Sequence, residues 1–171
     1  MSKKTAIALI LVLMLSFSLF SCGEDTEVFT NGRISIELPL YFSAEQKEDG
    51  SVSFYTPSIE VNTYSLDEDS FRVTYSYTGD CTLAAYLECF ATEQGMNLSE
   101  VEPVYDDEIG CLSFEYAASE DGEAYYYMHH TVFLRDGIFF VVVMSCDEPH
   151  MEECVPKFEK WRETITILDQ A

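Results

Sequence analysis

Apolar and polar residues alternate with a period of two along most of this chain and change to a helical period in two places. In RISIEL, Ile34, Ile36 and Leu38 alternate with Arg33, Ser35 and Glu37, and Pro39 closes the strand. After the polar turn Glu48-Asp49-Gly50, SVSFYT and IEVNTYSL flank Pro57-Ser58 and read as two further strands. FRVTYSY sets Phe71, Val73, Tyr75 and Tyr77 on one face, which predicts a strand again. Between Thr82 and Gln94, Leu83, Tyr86, Leu87 and Phe90 fall at helical spacing, with Asp80 or Thr82 as cap and Gly95 past the end. Strands resume at VEPVY and CLSFEY.

The segment AYYYMHHTVFLRDGIFFVVVMS predicts a long hairpin about Asp136-Gly137, a preferred pair for a type I′ turn. That turn sets Arg135 opposite Ile138, Phe133 opposite Phe140, His130 opposite Val143 and His129 opposite Met144. Both faces of the hairpin are largely apolar, as central strands covered on both sides require. A second helix is expected between Pro149 and Ile165, with Val155, Phe158, Trp161 and Ile165 as its buried stripe and Pro156 marking its start or a kink. The pattern as a whole predicts an α+β fold, a mostly antiparallel sheet with two main helices.

The N-terminus lies outside this pattern. Behind Lys3 and Lys4, the apolar run Thr5 to Phe20 is shorter than the roughly 20 residues of a stable membrane span, so it reads as a signal peptide. It ends in Leu19-Phe20-Ser21-Cys22, which resembles the lipobox of bacterial lipoproteins. That resemblance implies cleavage before Cys22, diacylglycerol on its thiol, and an extracytoplasmic protein anchored to the bacterial cell membrane. Acyl chains contribute about 0.8 kcal/mol per buried methylene, enough for two or three of them to hold the protein there. The expected organisation is a leader over 1–21, a short acidic tether over 22–30 and a single domain over 31–171.

Charge narrows the partners. Nine Lys and Arg oppose 31 Asp and Glu; the leader takes two of the bases and none of the acids, which leaves a net charge of −24. Such a surface repels nucleic acid, so DNA and RNA are not expected partners. The acids cluster at loop-like places such as Asp67-Glu68-Asp69, Asp106-Asp107-Glu108 and Asp147-Glu148, but none has the spacing of a calcium loop. A solvated face accounts for them more simply than capture of cations or of a basic partner. With 47% apolar and 14% aromatic residues, a packed core is assured.

Strand, proline and aromatic in GRISIELPLYF, the helix TLAAYLECFATEQGM, the long meander and a tryptophan-bearing last helix ending in ITIL together resemble the PsbP-like and DcrB-like family. The resemblance implies an α/β/α sandwich. It carries no shared catalytic residues, and it implies accessory or binding roles beside larger assemblies.

Candidate chemistry is sparse. Besides Cys22 there are five cysteines, Cys81, Cys89, Cys111, Cys146 and Cys154, with no C-x-x-C among them. Cys146 and Cys154 could close a loop. Cys81, near the start of the first helix, is the one thiol placed for a Cys–His hydrolase, but no hydrolase motif surrounds it. His129 and His130 point to opposite sheet faces and cannot chelate one ion together. His129 with Met144 and Cys146 is a candidate set of soft metal ligands, weighed against incidental histidines in a Met-rich sheet. Tyr75, Tyr77, Tyr125 and Tyr127 are candidate binding residues, since tyrosine offers a rigid face and a polar tip; cross-strand packing is the plainer account. No cofactor is expected. The sequence therefore points to a membrane-anchored, non-enzymatic binding or accessory module for a protein or cell-envelope component, with a metal-ion or small-ligand binder as the alternative.

Overall fold

The computed structural model describes residues 24–120 and 124–168. Among the described residues, ten strands and three α-helices succeed one another in chain order: β1 (Thr26–Thr30), β2 (Ile34–Pro39), β3 (Ser43–Gln46), β4 (Val52–Tyr55), β5 (Ile59–Asp67), α1 (Glu68–Tyr75), α2 (Leu83–Glu93), β6 (Val104–Asp106), β7 (Cys111–Glu120), β8 (Ala124–Arg135), β9 (Ile138–Asp147), α3 (Met151–Arg162) and β10 (Thr166–Ile167). Seven strands form one sheet in the order β3-β4-β5-β9-β8-β7-β6, and β1-β2-β10 form a second. Every pairing is antiparallel. The fold is α+β, and its layers form a sandwich about the large sheet.

Alternation along β9 explains the layers. Phe140, Val142, Met144 and Cys146 face a core shared with Ile34, Ile36 and Leu38 of β2 and with Phe158 and Trp161 of α3. Phe139, Val141 and Val143 face a second core with Phe71 of α1 and Tyr86, Leu87 and Phe90 of α2. Asp136 (φ 52°) and Gly137 (φ 72°) both adopt the left-handed region that a type I′ turn needs, and the β8–β9 register is the one expected from the sequence. Helix α2 is capped by Thr82, whose hydroxyl accepts the Ala85 N–H at 3.1 Å.

Three expectations change. FRVTYSY is not a strand: Phe71 to Tyr75 belong to helix α1, Ser76 is its C-cap, and Tyr77 lies just beyond. Asp67 caps the other end of α1 by accepting the Ser70 N–H at 2.7 Å, Glu68 and Asp69 sit in its first turn, and Phe71 packs on Tyr75 one turn on at 5.0 Å. Phe71 is fully buried while Val73 is 81% exposed, so the two do not share a face. Second, the expected tether yields a strand: Thr26–Thr30 pairs with β2, and Phe29 packs edge-on against Phe54 at 5.2 Å. Third, α3 keeps the expected span but Pro156 is not its start: the helix begins five residues earlier and runs through it, with Cys154 as well as Phe158 and Trp161 buried. Cys22 and the leader lie outside the described residues.

Candidate functional site

The β7–β8 register sets Ser113 opposite Thr131 and Glu115 opposite His129, all on the sheet face that α3 covers. Helix α3 lays Phe158 against this face, 6.5 Å from the His129 ring, and so brings the next residue, Glu159, to the same place. His129 is 2% exposed, and its Nδ1 lies 3.4 Å from Glu115 Oε1 and 4.0 Å from Glu159 Oε1. The two carboxylates are half-exposed. Neither imidazole nitrogen makes a hydrogen bond. Arg162, one turn further along α3, holds its Nε 3.4 Å from Glu159 Oε2 and its Nη1 4.0 Å from Asp106.

A cavity of about 460 Å³ opens here, lined also by Glu100, Glu102, Val104 and Ser113. Burial lowers the His129 pKa below the usual histidine value, against the opposing pull of Glu159 and Glu115. One imidazole nitrogen and two carboxylate oxygens thus converge, all within 4.8 Å of one another.

The residues singled out from sequence are distributed differently. His129 and Met144 are register partners, and Met144 is fully buried. Cys146 is register partner to Tyr127; burial first, then the Cys154 thiol of α3, pushes Cys146 up to about 12. All five described cysteines are free. Cys81 also has its pKa raised, burial being the largest cause, the reverse of what an activated nucleophile needs. Tyr127 is buried and stacked on Phe158 at 6.0 Å. Tyr75 and Tyr77 lie at and just beyond the end of α1 rather than on a strand, and both pack on Phe71. The side chain of Tyr125 is outside the described residues.

The sequence pattern did not disclose Glu115 or Glu159 as site residues. Glu115 was out of reach by register: a two-residue turn at Asp121-Gly122 would set it against Met128, whereas the observed pairing of Glu120 with Ala124 sets it against His129. Nothing in the sequence pointed to Glu159, which reaches the site only because α3 crosses it.

A second concavity, about 760 Å³, lies on the opposite sheet face where α1 and α2 leave the strands uncovered. Tyr55, Pro57, Tyr126 and Met128 form its apolar walls, and Glu45, Glu60 and Asp147 its charged lining. Lys47 donates to Glu60 at 3.2 Å and Ser53 donates to it at 2.9 Å. Burial would raise the Glu60 pKa, but these bonds and the Lys47 charge hold it below the usual carboxylate value.

No protein-family model and no curated protein matches the chain. Among solved structures, a crystal structure from Bacteroides thetaiotaomicron is similar at a TM-score of 0.51 and 15% identity, over 85% of this chain and 48% of that one. The chain therefore spans about half the length of that protein, and the likeness is one of fold. The solution structure of cyanobacterial PsbP (CyanoP) from Synechocystis is a neighbour at a TM-score of 0.47 and 13% identity, over 88% of this chain and 99% of that one.

Proposed function

We propose that this is a non-enzymatic binding module, held at the outer side of a bacterial membrane by acyl chains on Cys22, which receives a basic segment of an envelope protein in the groove beside Tyr55 and Tyr126. The groove carries the reading: rigid aromatic walls offer contact area at low entropic cost, and Glu45, Glu60 and Asp147 outnumber the Lys47 ammonium paired with Glu60, which leaves net negative charge complementary to Lys or Arg. The lipobox-like end of the leader supports the anchor. Among the described residues no helix is long and apolar enough to cross a membrane. The order of elements resembling PsbP-like and DcrB-like proteins supports an accessory role. Association is expected to be fast and salt-sensitive, as for any acidic surface meeting a basic partner.

The test is photocrosslinking in cells from position 126, with position 73 on the exposed side of α1 as control. A discrete product is expected from 126 alone, weakened by Glu45→Gln with Glu60→Gln and by raised salt. Equal products from both positions, or none from 126, would overturn the groove as the binding surface. Cys22→Ser is expected to move the protein from the membrane to the soluble fraction; retention in the membrane would remove the anchor.

A further inference from the structure

We propose that Glu115, His129 and Glu159 form a binding site for one first-row divalent cation of the zinc or manganese type. The acidic lining alone would not carry this, since exposed carboxylates are common. His129 does: a 2%-exposed imidazole with neither nitrogen hydrogen-bonded is a cost in a folded core, and its Nδ1 is aimed between two carboxylate oxygens, at 3.4 and 4.0 Å, without bonding either. A cation lying among Nδ1, Glu115 Oε1 and Glu159 Oε1 would satisfy Nδ1 and neutralise the two carboxylates at once.

The arrangement has the parts of a built metal site. The ligand ring is held by Phe158 and the β7–β8 register, so it is fixed before an ion arrives. Glu159 turns Oε1 toward His129 and Oε2 toward Arg162, which orients the carboxylate as an outer partner of a ligand does. Glu100 and Glu102 line the mouth and raise the local cation concentration. Three protein ligands leave room for water in the remaining positions, as in open sites. An imidazole nitrogen favours zinc, a borderline ion, most strongly and manganese less so, over calcium and magnesium, which take oxygen alone. The soft set of His129 with Met144 and Cys146 predicts sulfur in the shell; this site predicts none.

The full-length chain in detergent, stripped with chelator, is titrated calorimetrically with zinc, manganese, calcium and magnesium chlorides. One zinc or manganese ion per chain is expected, with a raised Tm, and weaker binding of calcium and magnesium. X-ray absorption of the zinc form should give a nitrogen and oxygen shell including one imidazole. Glu115→Gln and Glu159→Gln each alter a half-exposed side chain, spare the core, and should weaken binding at least about tenfold. His129→Gln should abolish it, and His150→Gln should leave it unchanged. Zinc binding undiminished in both Glu variants, sulfur in the shell, or no binding at all would overturn the proposal. A result of that kind would leave the Tyr126 groove untouched, since it lies on the other sheet face.

Discussion

His129 and His130 are neighbours in sequence and lie in opposite halves of the molecule. His130 enters the α1–α2 core, where its Nε2 is hydrogen-bonded with the Tyr86 hydroxyl at 3.0 Å and that hydroxyl with Tyr64 at 3.1 Å. Phe90 and Phe114 pack on its ring at 4.7 and 4.8 Å. Its Nδ1 has no hydrogen-bond partner, and the ring is packed among Tyr86, Phe90, Phe114 and Tyr116. His129 is as deeply buried under α3, with neither nitrogen bonded and two carboxylates at hand. Equal burial therefore carries opposite meanings. The first ring completes an aromatic core; the second ends at a charged cavity and is left chemically open.

The largest way to separate the two halves is to empty each core in turn. Phe71 and Phe158 are both fully buried, on opposite sides of the sheet. Truncating either to alanine is expected to cost about 3–5 kcal/mol in denaturant unfolding. Only Phe158→Ala removes the ring that positions His129, so only it should also weaken zinc binding. If Phe71→Ala weakens the ion equally, the two halves are not independent.

Acid sharpens the same contrast. Burial, with the neighbouring His129 second, lowers His130 to about 3, whereas an unfolded chain titrates near the usual 6.5. The unfolded state then binds the extra proton, so stability is full above about 6.5 and is lost as pH falls toward 3. Between pH 7 and 5 the loss should reach roughly 2 kcal/mol, measured with chelator present so that no ion intervenes. His130→Gln should flatten that slope. His129→Gln should flatten it less, because Glu159 and Glu115 oppose the burial and leave its shift smaller in consequence.

The sequence made the large sheet legible wherever a hairpin was signalled by its own turn, and Asp136-Gly137 gave a register correct to the residue. It misled at residues 71–77, because Phe, Val, Thr and Tyr favour strands while the cap at Asp67 and the Phe71–Tyr75 packing impose a helix. Strand β1 escaped notice because its five residues show little alternation and are held mainly by pairing with β2. Of the candidate cation site, His129 was visible and its opposition to Met144 was right. Glu159 was not, since a helix crossing a sheet brings together residues whose spacing in sequence carries no period. The groove was hidden as well, since Tyr126 and Tyr55 come to line one concavity only through the order of strands.

The smallest test concerns how the two halves hold their covering helices. Helix α2, over His130, has no acid in its first turn and starts on a bond, the Ala85 N–H donated to Thr82. Helix α3, over His129, has no side-chain cap bond and starts on charge, with Glu152 and Glu153 in its first turn. His150 at its cap position instead donates from Nδ1 to Asp147 at 2.5 Å on the exposed surface. Thr82→Ala should thus cost about 1 kcal/mol and speed amide exchange at the start of α2. His150→Ala should fall within about 0.5 kcal/mol, as surface pairs do. Salt is the discriminating variable, because it screens exposed charge and leaves a hydroxyl bond alone. Exchange at the start of α3 should rise with ionic strength while that of α2 stays level. If both rise together, the bond at Thr82 is not what holds the helix over the sealed face.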